Sequence, residues 1–220
     1  HTIGRRQRQM CIRDRVIDAE SGYANGYGVS PNYRSIIQFK NKFNDKNFAE
    51  VVKVTFNSNA IETEDILKHF FETHDPTQFN RQGNDVGTQY RSTILFVDEN
   101  QKELAEKIME EYQILLNNGG YGEIKTKLEP LDNFYPAEEY HQDYLKKNPN
   151  GYCPDLSTGI VFNNNDKSFL DNEILLTGKQ ILVLDSQNYC PYCEKLKVDV
   201  TDNYKGTCLL YTSPSPRDTL

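Results

Sequence analysis

"AEVVKVTF", residues 49–56, decides how this chain folds. The stretch is rich in β-branched and aromatic residues, and side chains alternate sides along a strand, so Glu50, Val52, Val54 and Phe56 share one face. That face is expected to meet the core, with a carboxyl at its head. Upstream, "VIDAESGYA" (16–24) alternates well enough for a second strand and runs into a Gly/Asn/Pro-rich loop, "NGYGVSPN". Downstream, Thr63 is placed to N-cap a helix with Glu64 and Asp65 in its first turn. Ile66, Leu67, Phe70 and Phe71 form its apolar stripe.

Further out, "STILFV" (92–97) reads as a strand. Asp98 and Gln101 can make a capping box for a second helix, whose buried stripe would be Leu104, Ile108, Tyr112 and Leu115. "IKTKLEPL" (124–131) is an amphipathic strand, and Pro136 suits the first turn of a third helix ending before Asn148-Pro149. Strands and helices interleave without a regular β–α–β repeat. This predicts an α+β fold, a two-layer sandwich of the ferredoxin-like plait kind.

Composition bounds the function. At 220 residues, 37% hydrophobic and 26% charged, the chain suits one domain, or one domain and part of another. A net charge of −7 argues against nucleic acid as the main partner. No apolar run approaches the roughly 18 residues of a membrane span. The basic N-terminus is followed by no apolar signal-peptide core, so the expected location is cytoplasmic, with a leader further upstream left open. Five irregularly spaced cysteines do not make a secreted disulfide framework.

The two ends differ from the middle. Residues 1–15 hold five Arg and no Lys and net +4, which leaves −11 on the rest, the −7 of the whole less that +4. Residues 208–220 also lack Lys. Both ends resemble translated sequencing-adapter read-through, so 1–15 and 208–220 are expected to be non-native. Residues 154–178, with "FNNND" and "LLTG", read as a linker. In 179–207, "QILVLD" and "SQNYCPYCEKLK" suggest a strand, a loop with Cys190 and Cys193, and a helix. A thiol at a helix N-terminus has a lowered pKa, which favours redox chemistry. Half a zinc site is the alternative, but no second Cys/His pair lies nearby and no metal is expected.

Several side chains could do chemistry. Glu50, beside apolar neighbours, is pushed toward its neutral, proton-donating form and suits a general acid; a strand-edge glutamate in solvent would look the same. Tyr90 shares a strand face with Ser92, Ile94 and Phe96, as an ordinary half-buried tyrosine also would. Asp85, between Gly83 and Gly87, is most simply a turn residue. Tyr23, Tyr27 and Tyr33 crowd the loop after the first strand. His141, in "EYHQDY", is expected on the polar face of the third helix.

From about Val16 to Cys153 the chain resembles the A class of peptide methionine sulfoxide reductases. The resemblance rests on "SGYANG", "GYGVSPNY", "AEVVKVTF", "HDPTQFNRQGNDVGTQYRS", "GGYGEIKTKLEPLDNFYPAEEYHQDYL" and "KNPNGYC". It implies reduction of methionine S-sulfoxide, free or in proteins, to methionine. Tyr33 and Tyr90 would then hold the sulfoxide oxygen, Glu50 would protonate it, Asp85 would line the pocket and His141 would lie beside it. Cys153 would be a resolving cysteine. No cofactor is implied beyond an external or fused thioredoxin-like dithiol. The stretch 179–207 resembles the start of a thioredoxin-like domain, with Cys190 and Cys193 as its redox pair.

Two departures stand out. Phe48 lies where the family often has histidine, and several extra residues follow Tyr33. The family's nucleophilic cysteine belongs to a Gly-Cys-Phe-Trp motif upstream of "SGYANG", yet the chain has no tryptophan, and Cys11 sits in an unrelated "QMCIRDR". The expectation is a piece of a longer reductase that is inactive as it stands. Two other functions fit the residues: a dithiol–disulfide oxidoreductase acting only through "CPYC", and a sulfoxide-binding module without turnover.

Overall fold

The computed structural model describes residues 16–148, 156–162 and 179–185. β1 (Val16–Ala24) and β2 (Ala49–Asn57) run antiparallel, with Tyr23 opposite Glu50 and Ser21 opposite Val52. Between them lie one short α-helix, α1 (Tyr33–Ile36), and a 3-10 turn at Phe39–Asn41. After β2 come α2 (Thr63–Thr73) and a small hairpin, β3 (Arg81–Gln82) with β4 (Asp85–Val86). A 3-10 turn at Thr88–Tyr90 leads into β5 (Thr93–Phe96), α3 (Glu99–Asn118) and β6 (Lys127–Pro130). β7 (Phe134–Pro136), a 3-10 turn at Glu139–His141, α4 (Tyr144–Lys147) and β8 (Lys179–Asp185) complete the described elements. Among the described residues the main sheet has the order β6-β5-β8-β2-β1-β7, in which only β5 and β6 run parallel.

Val52, Val54 and Phe56 face one core, where they meet Phe71 of α2 and Ile108 and Tyr112 of α3. Val51 faces the opposite side, packed with Ala24, Ala49 and Leu95. β2 is therefore buried on both faces, which explains why its apolar residues run almost continuously. His74, just past α2, ties this core together. Its Nδ1–H donates to Phe70 O (2.8 Å), so its Nε2 accepts from the Ser92 hydroxyl (2.8 Å), which also bonds Thr126 (2.8 Å). Burial pulls its pKa down to about 4, keeping the ring neutral.

Several sequence expectations need correction. Thr63 is the first helical residue rather than the cap; Glu62 occupies the cap position without a side-chain bond. Asp98 does cap α3 through Gln101 N (2.8 Å), but the Gln101 side chain accepts from Val97 N (3.1 Å) instead of closing the box on Asp98. The α3 stripe ends on buried Leu116, with Leu115 only partly covered. The helix expected from Pro136 to before Asn148-Pro149 is reduced to the 3-10 turn at Glu139–His141 and the single turn of α4, which does end before Asn148. Residues 134–136 pair with β1 instead, on the sheet edge where a proline's missing N–H is tolerated. β7 approaches closely because residue 22 is glycine: a Cβ there would run into the Phe134 ring and lie 2.7 Å from Tyr135 O.

Two larger corrections concern the C-terminal part. Residues 156–162, expected in a linker, pack on the core. Phe162 is 2% exposed and stacks on Tyr112 at 5.0 Å, and its N–H donates to the buried Glu72 carboxylate (2.9 Å). The strand at 179–185, expected to open a separate thioredoxin-like unit, lies in the middle of the main sheet. It pairs antiparallel with β2 (Val52 opposite Leu184) and with β5 (Ile94 opposite Leu184). The apolar run "QILVLD" suits an inner strand of this sheet as well as it does the first strand of another domain, so its pattern alone could not choose.

Candidate active site

The β1–β2 register builds the site. Directly opposed residues of an antiparallel pair point to the same side, so Tyr23 and Glu50 share a face, and Tyr135 of β7 joins them opposite Tyr23. Val52 and Val54 continue this face into the core. Glu50 ends the apolar row as a buried carboxyl, 5% exposed, and its Oε1 has no hydrogen-bond partner among the described residues. Burial, then the nearby charges of Asp85 and Glu138, raise its pKa well above the ordinary carboxyl value. Burial thus favours the protonated form of Glu50, and its Oε1 meets no partner among the described residues, as a proton donor requires.

Tyr90 reaches the same place from the 3-10 turn after the hairpin and is 4% exposed. Burial, followed by the charges of Glu50, Tyr33 and Asp85, pushes its pKa far up, against a hydrogen bond with Gln89. It stays a phenol and keeps its donor. Asp85 is half-buried in β4, opposite Gln82 across a two-residue turn whose Gly83 has φ +58°. Tyr33 is half-buried at the start of α1, with His141 set edge-on against its ring at 5.0 Å. Glu50, Tyr90, Asp85 and Tyr33 therefore lie in one electrostatic neighbourhood, although they come from four separate segments.

His141 differs from its expected setting. It sits in a 3-10 turn rather than on a helix and is buried at 5% exposure. Burial lowers its pKa, with Glu138 pulling the other way. All five cysteines, including Cys153, Cys190 and Cys193, fall outside the described residues. Among the described residues no cluster of His, Cys, Asp and Glu is placed to hold a metal. None of the described helices is long and apolar enough to cross a membrane. A cavity of about 250 Å³ opens beside α1, lined by Tyr27, Asn32, Ile36, Lys46 and Phe48 among others, but not by Glu50 or Tyr90.

The family model for peptide methionine sulfoxide reductase matches residues 7–172. The chain belongs to this family. The match takes in residues 7–15, which the sequence suggests are foreign, and most of the expected linker. The chain is 48% identical over 138 residues to peptide methionine sulfoxide reductase MsrA 1 of Synechocystis, covering 63% of this chain and 60% of that protein. It is 42% identical over 154 residues to the mitochondrial peptide methionine sulfoxide reductase of Rattus norvegicus, covering 70% and 64%. The chain thus spans about six-tenths of the length of these curated relatives. The solved methionine sulfoxide reductase A of Corynebacterium diphtheriae superposes with a TM-score of 0.57 at 37% identity, covering 67% of this chain and 71% of that one.

Within this reductase fold, three contributors escape a reading of the sequence alone. Tyr23, almost fully buried, donates its hydroxyl to Glu138 Oε2 (2.7 Å). Glu138 also accepts from Tyr33 N (2.9 Å). Arg91 is buried and donates to Thr88 O (2.8 Å), Asn47 O (3.1 Å) and Asn25 O (3.4 Å), drawing three loops together behind Tyr90. The extra residues after Tyr33 brace the same turn: Thr88 N donates to Lys42 O (2.8 Å) and the Thr88 hydroxyl to Asn44 O (2.9 Å). Only the juxtaposition of "PAEEYH" with "SGYA" would signal Glu138, and that depends on the β1–β7 pairing.

Proposed function

We propose that this site binds methionine S-sulfoxide, free or in a protein, and protonates its oxygen, the acid half of thiol-dependent sulfoxide reduction. The supporting observation is the buried Oε1 of Glu50, unpartnered among the described residues, on a carboxyl whose pKa is raised and which acts electrostatically on the Tyr90 phenol. A sulfoxide oxygen is a strong acceptor, and its sulfur turns electrophilic only as that oxygen gains a proton. Two phenols and a neutral carboxyl supply donors where negative charge grows. Tyr33 and Tyr90 hold the oxygen, Glu50 delivers the proton, and Asp85 and His141 shape the surroundings.

The remaining chemistry belongs to thiols. A thiolate attacks the sulfur, the S–O bond breaks, the oxygen leaves with the thiol as a sulfenic acid, and methionine is released. Cys153 then condenses with the sulfenic acid, forming a disulfide and water. A dithiol, Cys190/Cys193 or a separate thioredoxin-like protein, reduces that disulfide by exchange. None of the five cysteines lies in a Gly-Cys-Phe-Trp setting, so these 220 residues are assigned the sulfoxide-binding and proton-donating part of the reaction rather than its nucleophilic step. The test is calorimetric titration with each epimer, followed by assay with dithiothreitol. The S epimer should bind at least about tenfold more tightly than methionine, with no turnover above a Cys11→Ser control. Equal binding of sulfoxide and methionine would overturn the function; turnover that Cys11→Ser removes would make Cys11 the nucleophile.

A further inference from the structure

Glu138 plays no part in the chemistry above, yet its carboxylate ties two distant segments of the site together. Its Oε1 accepts from Tyr33 N (2.9 Å) and its Oε2 from the Tyr23 hydroxyl (2.7 Å), groups 105 and 115 positions away in sequence. Tyr33 N is one of the amides that the first turn of a helix leaves without a partner. The Asn32 side chain already serves the Ser35 amide (3.0 Å), so Tyr33 N must be served from outside α1. The segment that carries Glu138 is itself fixed. Ala137 N donates to Ser21 O (2.9 Å), and the Gln142 side chain bonds both Ser21 N (3.0 Å) and Ser21 O (2.9 Å). His141, one 3-10 turn on, backs the Tyr33 ring.

We propose that Glu138 is a positioning residue for the sulfoxide site, a two-oxygen clamp that fixes Tyr33 to the Tyr23–Glu50 row of the sheet. α1 is a single turn within a long loop and cannot place a phenol by its own stability. The clamp joins it to β1, whose Tyr23 stands directly opposite Glu50. Tyr33 and Glu50 are thereby referred to one rigid frame. Hydrogen bonds from Tyr23 and Tyr33, with the nearby His141, outweigh burial and hold Glu138 ionised, so both oxygens remain acceptors.

This inference rests on the proposed sulfoxide site, and its test separates the two. In the ligand-free protein, hydrogen exchange at the Tyr33 amide should quicken at least about tenfold in Glu138→Ala, while β1 and β2 amides are unchanged. Glu138→Gln should stay near the original rate, because its carbonyl can take the Tyr33 N–H while the Tyr23 hydroxyl reverses to accept from the amide. Titration with methionine S-sulfoxide then completes a double-mutant cycle. Tyr33→Phe should weaken binding about tenfold in the parent but about twofold or less in Glu138→Ala, since an unclamped phenol has little left to lose. An unchanged Tyr33 amide, or losses that simply multiply, would overturn the clamp. If the parent binds no sulfoxide, the sulfoxide function fails, and the amide measurement alone decides the clamp.

Discussion

Glu50 costs the fold stability as pH rises and its carboxyl ionises. Its folded pKa lies well above its ordinary value of 4.5. Relative to the unfolded chain, its protonated form is favoured, so its contribution is full below about 4.5 and is lost as pH rises toward the folded value. Each unit of that difference is worth about 1.4 kcal/mol. Glu50→Gln removes this pH-dependent penalty. The variant should gain stability over the parent at pH 7 compared with pH 4, by at least about 1 kcal/mol in urea unfolding. The same difference at both pH values would mean that Glu50 ionises as it does in water. His74 works in the opposite direction: its contribution is present above its ordinary 6.5 and is lost as pH falls toward about 4. Comparing variant with parent cancels that term.

At the scale of elements, Phe162 tests whether 156–162 belongs to the domain. Its ring stacks on Tyr112, Lys68 Nζ lies 5.2 Å from the ring centre, and Ile160 O takes the Tyr112 hydroxyl (3.0 Å). Phe162→Ala should cost about 3–5 kcal/mol, the usual penalty for emptying an aromatic site in a packed core. A loss below about 1 kcal/mol would return the segment to linker status. The sequence showed β1, β2, β5, α2 and α3 clearly, because each carries its own period. It hid the fate of 134–148, where a proline fits a helix start and an edge strand equally well. The pairing partner decides that choice, and a single segment does not contain it. The same limit covers the site. Glu50, Tyr33, Asp85 and Tyr90 could be picked out by resemblance, whereas Tyr23, Glu138 and Arg91 gain meaning only from distant contacts.

At the scale of the molecule, β8 holds β2 and β5 together in one sheet. Backbone amides of 179–185 should therefore exchange with protection comparable to that of β2, within about tenfold. Protection near that of a free peptide would show that the strand is not seated there. The sheet in turn presents Glu50 at the end of its apolar row, within electrostatic reach of Asp85 and of Tyr90, which also feels Tyr33. The measurement that bears most directly on this chemistry is the affinity for methionine S-sulfoxide from pH 5 to 9, in the parent and in Glu50→Gln. Tyr23 and Tyr90 titrate far above this range, and Glu138 and His141 have pKa values below their ordinary ones. Glu50, whose pKa burial and the charges of Asp85 and Glu138 raise well above the ordinary carboxyl value, is the acid whose ionisation Glu50→Gln removes. Parent affinity should decline about tenfold or more as Glu50 ionises, while the Gln variant stays level. Parallel pH profiles in the two proteins would contradict a protonated Glu50 acting on the sulfoxide oxygen.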